Sequence, residues 1–145
     1  MPDQKIEPPN EKDIENIAMG VVHAGQVIEQ ALGEDLTGKR ADVALIQRVL
    51  DQGVVEPEAT YTLQALGLAF GRAFLGEHAD YDWWMVEDEY GRDPAIRYKE
   101  TSLLVFPMTM ISKRVEDGEE VDVAELFDGL ARQLADLIRE GVDSA

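Results

Sequence analysis

Apolar residues recur at helical spacing in three successive stretches of the N-terminal half of the chain. The first follows Asn10, whose side chain can cap a helix, and ends at Gly33. Residues 41–52 and 57–75 show the same spacing, and Pro57 suits a first helical turn. The pattern predicts three helices. Their expected buried residues are Ile14, Ile17, Val21, Ile28 and Leu32; Val43, Ile46, Val49 and Leu50; and Leu63, Leu66, Phe70 and Phe74.

Glycines interrupt two of these helices. Gly20 and Gly25 lie in the first, and Gly67 and Gly71 are one turn apart in the third. Each costs about 1 kcal/mol of helix propensity relative to alanine, and close packing against a neighbour is the usual compensation. We therefore expect other elements to approach these backbones closely.

The hydrophobic period changes to two near Tyr81, which predicts β-strands at residues 83–88, 94–100 and 102–106. Residues 89–93 supply a turn with glycine, so a three-stranded antiparallel meander is the simplest arrangement. One face of the predicted meander is expected to pack in the core, and it holds Trp84, Val86, Ile96 and Tyr98. The opposite face, a candidate contact surface, holds Trp83, Met85, Glu87, Arg97 and Lys99.

Two helices follow the strands. Pro107 opens a short one that ends near Gly118, and Asp122 caps a long amphipathic one that runs to about Glu140. The sequence thus predicts an α+β fold of N-terminal helices, the meander, a short helix and a long C-terminal helix. Residues 1–9 are expected to be a flexible tail, residues 10–141 a single α+β domain, and residues 142–145 a flexible C-terminus.

Charge narrows the range of partners. Thirteen basic and thirty acidic residues give a net charge of −17. This disfavours nucleic acid and anionic membranes, whereas a basic protein would be attracted. The first ten residues lack the basic start and apolar stretch of a signal peptide, and no apolar run is long enough to span a bilayer. We therefore expect a cytoplasmic protein.

Catalytic signatures are weak throughout the chain. There is no cysteine, and His23 and His78 have no second histidine at ligand spacing. Residues 33–39 match the spacing of a phosphate-binding loop, but Arg40 occupies the position of its Ser or Thr and a predicted helix, not a strand, precedes it. We expect an ordinary turn between helices there, no cofactor, no metal and no enzyme activity.

Charged side chains concentrate around the predicted hairpin. The acidic ones are Asp80, Asp82, Glu87, Asp88, Glu89 and Asp93; the basic ones are Arg92, Arg97, Lys99, Lys113 and Arg114. The acidic spacing does not match a calcium loop, so a solvated turn is the favoured interpretation. The basic residues either pair with neighbouring carboxylates or, through Lys113 and Arg114, form an ion pair that orients helix and sheet.

Several short motifs in the C-terminal half resemble a known family. They are Trp84-Met85-Val86, Asp88-Glu89-Tyr90-Gly91 with Asp93, Phe106-Pro107, Met110-Ile111, Lys113-Arg114 and Gly118-Glu119. Together they resemble the uncharacterised bacterial family called domain of unknown function 3806, over roughly Leu63 to Leu130. The resemblance implies a bacterial source and a small α+β fold. It supplies no catalytic residues, and residues 1–60 lie outside it.

These observations favour a protein that acts by binding another protein, with an immunity- or antitoxin-like role as the more specific version. The candidate contact residues are Trp83, Met85, Glu87, Asp88, Glu89, Tyr90, Arg92, Arg97, Lys99, Lys113 and Arg114. The alternative is a small-molecule or metal-binding domain with a pocket between the sheet and helix 57–75. An enzyme would require Asp88, Glu89, Lys113 and Arg114 to meet. A homodimer, through a strand edge or the last helix, is also compatible with the sequence.

Overall fold

Five helices and one four-stranded antiparallel sheet make up the computed structural model, which describes residues 4–141. The helices are α1 (Glu11–Leu32), α2 (Ala41–Asp51), α3 (Thr60–Glu77), α4 (Pro107–Glu116) and α5 (Val123–Glu140). The strands are β1 (Lys5–Glu7), β2 (Tyr81–Asp88), β3 (Gly91–Tyr98) and β4 (Leu104–Val105). The predicted α+β class and order of elements are confirmed, with one strand more than expected.

Both ends of α1 follow the capping residues that the sequence indicated. The Asn10 side chain accepts a hydrogen bond from the Asp13 N–H, and the Asp13 carboxylate accepts one from the Asn10 N–H, which completes a capping box. Gly33 ends α1 in the left-handed conformation, at φ 69°. The predicted start of α3 was wrong, because the helix begins at Thr60, three residues after Pro57.

α3 is the central helix of the fold. Its apolar residues lie on all sides, as in a helix surrounded by protein, and Leu63, Leu66, Phe70 and Phe74 are fully buried. A Cβ at Gly67 would collide with the backbone carbonyl oxygen of Pro107, at the start of α4. The predicted close approach at the α3 glycines is therefore confirmed, and it brings α4 against this helix.

The strand order β1-β2-β3-β4 corrects the prediction of a flexible N-terminal tail. Residues 5–7 pair antiparallel with β2, with Ile6 opposite Val86. Ile6 adds apolar surface and the backbone completes the hydrogen-bonded edge of β2, which explains why a segment rich in proline and charge is ordered here. The predictions for residues 1–3 and 142–145 lie outside the described residues.

The hairpin between β2 and β3 has a shorter turn than the five residues predicted. Only Glu89 and Tyr90 form it, so Asp88 pairs with Gly91 and Trp83 pairs with Ile96. A turn spanning residues 89–93 would have paired each even-numbered residue of β2 with an even-numbered residue of β3. The shorter turn instead pairs even-numbered residues of one strand with odd-numbered residues of the other. Because side chains alternate between the two sides of a sheet, each side chain of β2 lies on the opposite side from the predicted one, relative to Ile96 and Tyr98 of β3.

The predicted faces of the sheet were therefore wrong in part. Trp83 and Met85 share the helix-facing side with Ile96 and Tyr98, whereas Trp84 lies on the opposite side with Arg97. A Cβ at Gly71 of α3 would lie 2.7 Å from Cη2 of Trp83, so this indole contacts the helical layer.

The buried side of α1 also differs from the predicted stripe. Its buried residues are Asp13, Gly20, Ala24 and Ile28, while Ile14 is 58% exposed. Gly20 approaches Leu68 of α3 closely, because it has no side chain to hold the helices apart. In the first half of α1 the core side is therefore that of Gly20 and not that of Ile14, whereas the predicted burial of Ile28 is confirmed.

The glycine contacts predict opposite outcomes for two Gly→Ala substitutions. Gly67→Ala should lower the free energy of unfolding by about 1–3 kcal/mol, because the new methyl group meets rigid backbone of α4. Gly25→Ala, whose Cβ would meet only the side chain of Leu36 at 3.8 Å, should raise it by roughly 0.5–1 kcal/mol. Urea unfolding followed by circular dichroism measures both, and equal changes would contradict the assigned packing.

Candidate functional site

A cleft of about 540 Å³ opens between α1, α3 and the helix-facing side of the β2–β3 hairpin. We call it the α1–α3 cleft. Its lining residues come from the N-terminal half of α1 with its cap, the first half of α3, the hairpin and the start of α4. They are Asn10, Lys12, Asp13, Asn16, Ile17, Gly20, Tyr61, Gln64, Ala65, Leu68, Met85, Arg92, Asp93, Pro94 and Met108.

The inner part of the α1–α3 cleft is apolar and its mouth is polar. Leu68 and Met85 are almost completely buried, and Met108 of α4 lies beside them. Methionine side chains are flexible and fit apolar shapes of several kinds. Asn16 and Gln64 bring a carboxamide from each helix. The arrangement can hold an apolar group and also make hydrogen bonds at the opening.

Arg92 closes one end of the α1–α3 cleft with a set of ion pairs. Its Nε and Nη2 donate to the two carboxylate oxygens of Asp13, at 3.1 and 2.6 Å, and Nη1 donates to Glu7 at 2.6 Å. Glu87 lies at 3.5 Å from Nη1. One guanidinium of β3 thus joins α1, β1 and β2, and the bidentate geometry with Asp13 fixes the angle of approach.

These contacts shift the pKa values of the groups involved. Hydrogen bonds from Arg92 hold the pKa of Asp13 below its ordinary value, although burial of the carboxylate acts in the opposite direction. The same donor lowers the pKa of Glu7. The Asp13 and Glu7 hydrogen bonds, in turn, raise the pKa of Arg92. Glu7, Asp13 and Arg92 are therefore ionised at neutral pH.

Two of the residues predicted to bind a partner line the α1–α3 cleft, Met85 and Arg92, and Glu87 lies beside Arg92. The prediction that Met85 belongs to an exposed contact face was wrong, since only 4% of its surface is exposed. Trp83 is half-buried between α1 and α3, in a second, shallower groove.

The hairpin tip and the outer side of the sheet hold four further candidates. Asp88 accepts a hydrogen bond from the Tyr90 N–H within the turn at 2.8 Å, and Glu89 and Tyr90 are exposed. Arg97 was predicted to be exposed, but it is buried. Its guanidinium stacks on Trp84 at 4.3 Å and donates to the Thr101 carbonyl at 2.7 Å.

The other basic candidates do not join this group. Lys99 is exposed next to Tyr98, at the end of the hairpin opposite its tip, and Lys113 is exposed at the end of α4. Arg114 donates to the Met110 carbonyl of its own helix at 2.8 Å. The hypothesis that Lys113 and Arg114 orient helix and sheet was wrong. Within residues 4–141, no ion pair or hydrogen bond connects them to Asp88 or Glu89.

The phosphate-loop lookalike is the connection between α1 and α2, as predicted. The buried carboxylate of Asp42 accepts hydrogen bonds from the N–H groups of Thr37 and Gly38, each at 2.7 Å, and from the Thr37 hydroxyl at 2.8 Å. These loop donors are therefore paired with a side chain of the same connection. Across the described residues, no three acidic or histidine side chains converge as metal ligands, and no helix could cross a membrane.

Both histidines contact neighbours that account for their positions. His23 shares a hydrogen bond with the Thr62 hydroxyl at 2.9 Å. His78 packs on Phe74 and lies near Tyr81 and Phe127, and burial lowers its pKa. His78 is therefore neutral at physiological pH.

Sequence reasoning missed the polar part of the α1–α3 cleft. Asn10 was predicted to cap α1, but nothing in the chain indicates that Arg92, far away in sequence, reaches Asp13 in the first turn of this helix. Asn16 and Gln64 are single polar residues on helices, a pattern typical of exposed surface. They belong to one site only because Gly20 brings α1 and α3 together.

The structure is that of an α+β domain with an open, largely apolar cleft. The family model described as "Domain of unknown function (DUF3806)" matches residues 42–127, more than half of the chain. The chain belongs to this family, as the sequence motifs indicated. The match includes α2, which lay outside the resemblance noted in the sequence.

One solved structure, from Bacteroides thetaiotaomicron VPI-5482, has the same fold. It is 22% identical with a TM-score of 0.82, and the match covers 88% of this chain and 47% of that one. The chain thus spans about half the length of this relative. At this identity the likeness concerns the fold alone. No curated protein matches the sequence.

The ion pairs of Arg92 predict that Asp13→Asn destabilises the protein in a pH-dependent way. Because folding lowers the pKa of Asp13 from its ordinary 3.8, the ionised carboxylate stabilises the native state above that value. This stabilisation is lost as the pH falls through the lower native pKa. Thermal unfolding should show Tm reduced by several degrees at pH 7, with a difference that shrinks as the pH falls below 3.8 toward the lowered native pKa.

Asp128→Asn is the matched control, since Asp128 also accepts two hydrogen bonds from an arginine, Arg40, but in a pair whose side chains are 51% and 44% exposed. Its Tm should change little at any pH. Equal losses for the two variants at pH 7 would contradict a special role for the Asp13 pair.

Proposed function

We propose that the protein binds a small organic molecule in the α1–α3 cleft and acts through this binding, without catalysing a reaction. The observation that supports the proposal most directly is the cleft itself, with its volume of about 540 Å³, apolar interior and polar mouth. Ligand sites in proteins commonly occupy about 300–1,000 Å³ and have this division of lining.

The ligand class follows from the chemistry of the lining. Ile17, Leu68 and Met85 favour an apolar body, and the carboxamides of Asn16 and Gln64 favour an end that both donates and accepts hydrogen bonds. Arg92 is already bound to three carboxylates, so it has little capacity left for an anion. A neutral or weakly cationic molecule is therefore preferred over a strongly anionic one.

Recognition of another protein is the second candidate function. The predicted contact face on the sheet does not support it, because Met85 and Arg97 are buried there. Exposed apolar side chains on α1 do, since Ile14 and Val22 are each 58% exposed. A cytoplasmic address and an immunity- or antitoxin-like role stay predictions.

A thermal-shift series tests the proposed cleft. The probes are neutral, cationic and anionic molecules that each carry an apolar group and an amide or alcohol. A ligand at about 100 times its Kd should stabilise the native protein by about 2.7 kcal/mol, which raises Tm by on the order of 10 °C. We expect shifts for neutral or cationic members and none for the anionic ones.

The variant Gln64→Trp fills the mouth of the α1–α3 cleft and should abolish the shift, while its own Tm stays close to that of the wild type. Gln133→Trp, the same change at an exposed position of α5, should leave the shift intact. If the whole series leaves the wild-type Tm unchanged, or if Gln64→Trp responds like the wild type, the cleft is not the binding site.

A further inference from the structure

A second apolar groove lies on the other side of α1 from the α1–α3 cleft. It has a volume of about 420 Å³. Its long wall is the apolar line of α1 that runs from Ile14 through Ala18 to Val22, and Trp83 and Arg72 line it from β2 and α3. We call it the α1 groove. It shares only Ile17 with the proposed ligand site and only Trp83 with the predicted contact face.

The exposed apolar residues of the α1 groove are more than scattered surface residues. Ile14, Ala18 and Val22 are four residues apart, so they form one line along the outside of α1 about 12 Å long. The contact of Gly20 with α3 turns this line away from the core. Single exposed apolar residues are common on protein surfaces, but a continuous line beside a half-buried tryptophan is typical of an interaction site.

The shape of the α1 groove fits an α-helix. A line of apolar residues at helical spacing, next to an aromatic side chain, matches the apolar face of an amphipathic helix, whose anchors recur with the same spacing. An extended strand would instead need free backbone groups, and the backbone of α1 is satisfied within its own helix.

Charge determines which helix fits. Glu11 and Glu15 are exposed one turn before Ile14 and Ala18, and neither forms an ion pair with another described residue. The whole chain adds a net charge of −17. A second copy would bring the same acidic border and the same net charge to the groove, which is repulsive. A basic helix would instead find opposite charges along the side of Glu11 and Glu15, whereas Arg72 lines the side next to α3.

We propose that the α1 groove is a docking site for an amphipathic helix with a basic rim, supplied by another protein. Apolar residues of the partner contact Ile14, Ala18, Val22 and Trp83, and its Lys or Arg side chains pair with Glu11 and Glu15. This inference does not depend on a ligand in the α1–α3 cleft.

Fluorescence anisotropy with the full chain tests the proposal. The probe is a labelled synthetic helix of roughly five turns, with leucines on one face and lysines along one border. Two matched peptides replace the lysines by glutamates or shuffle the leucines off one face. The lysine peptide should bind, with an affinity that falls as the salt concentration rises from about 20 to 300 mM, and the two matched peptides should not.

Variants of α1 locate the binding site. Ile14→Ser combined with Val22→Ser should weaken binding about tenfold or more, because both apolar contacts are lost. Met19→Ser is the matched control, since Met19 is 55% exposed on the same helix but does not line the groove. Glu11→Gln with Glu15→Gln should weaken binding at low salt and flatten its salt dependence.

Three results would overturn the proposal: no saturable binding of the lysine peptide, equal binding of either matched peptide, or unchanged binding by the Ile14→Ser, Val22→Ser variant. Sedimentation of the chain alone tests the second-copy alternative. A dimer that this double variant dissociates, and Met19→Ser does not, would assign the groove to self-association and also overturn the proposal. A monomer in all three proteins agrees with a basic partner.

Discussion

The bidentate contact between Arg92 and Asp13 determines where α1 lies relative to the sheet. Arg92 belongs to the hairpin and Asp13 to the first turn of α1, and the same guanidinium also holds Glu7 of β1. Without it, the N-terminal half of α1 would depend on the close contact of Gly20 with Leu68 and on few large side chains. Partly buried charge pairs of this kind contribute orientation more reliably than net stability.

Both proposed binding surfaces are consequences of this position of α1. The small residues Gly20 and Ala24 face the core, so the larger Ile14 and Val22 remain outside it. On one side of the helix the gap to α3 and the hairpin forms the α1–α3 cleft, and on the other side the exposed line forms the α1 groove. Since Ile17 lines both, a movement of α1 would change the two surfaces together.

The helices could be predicted from the sequence because their signals are local. Asn10 and Asp122 cap α1 and α5, and α3 is apolar on all sides. The existence of these three helices could therefore be predicted without knowledge of distant residues. The site depends on distant residues throughout. Because the turn consists of only Glu89 and Tyr90, the side chains of β2 lie on the opposite sides from those predicted. Met85 therefore faces the helices, and Trp84 stacks on Arg97 on the other side of the sheet. The pairing of Arg92 with Asp13 and the order gained by β1 likewise require the assembled sheet.

Hydrogen exchange followed by mass spectrometry, on the wild type and on Arg92→Lys, tests most directly whether Arg92 holds α1 in place. Lysine keeps the positive charge but cannot form the bidentate contact with Asp13. If Arg92 holds α1 in place, Arg92→Lys should show faster exchange in β1 and the first half of α1, with unchanged exchange in α3. Unchanged exchange in α1, or an equal increase throughout the chain, would contradict it.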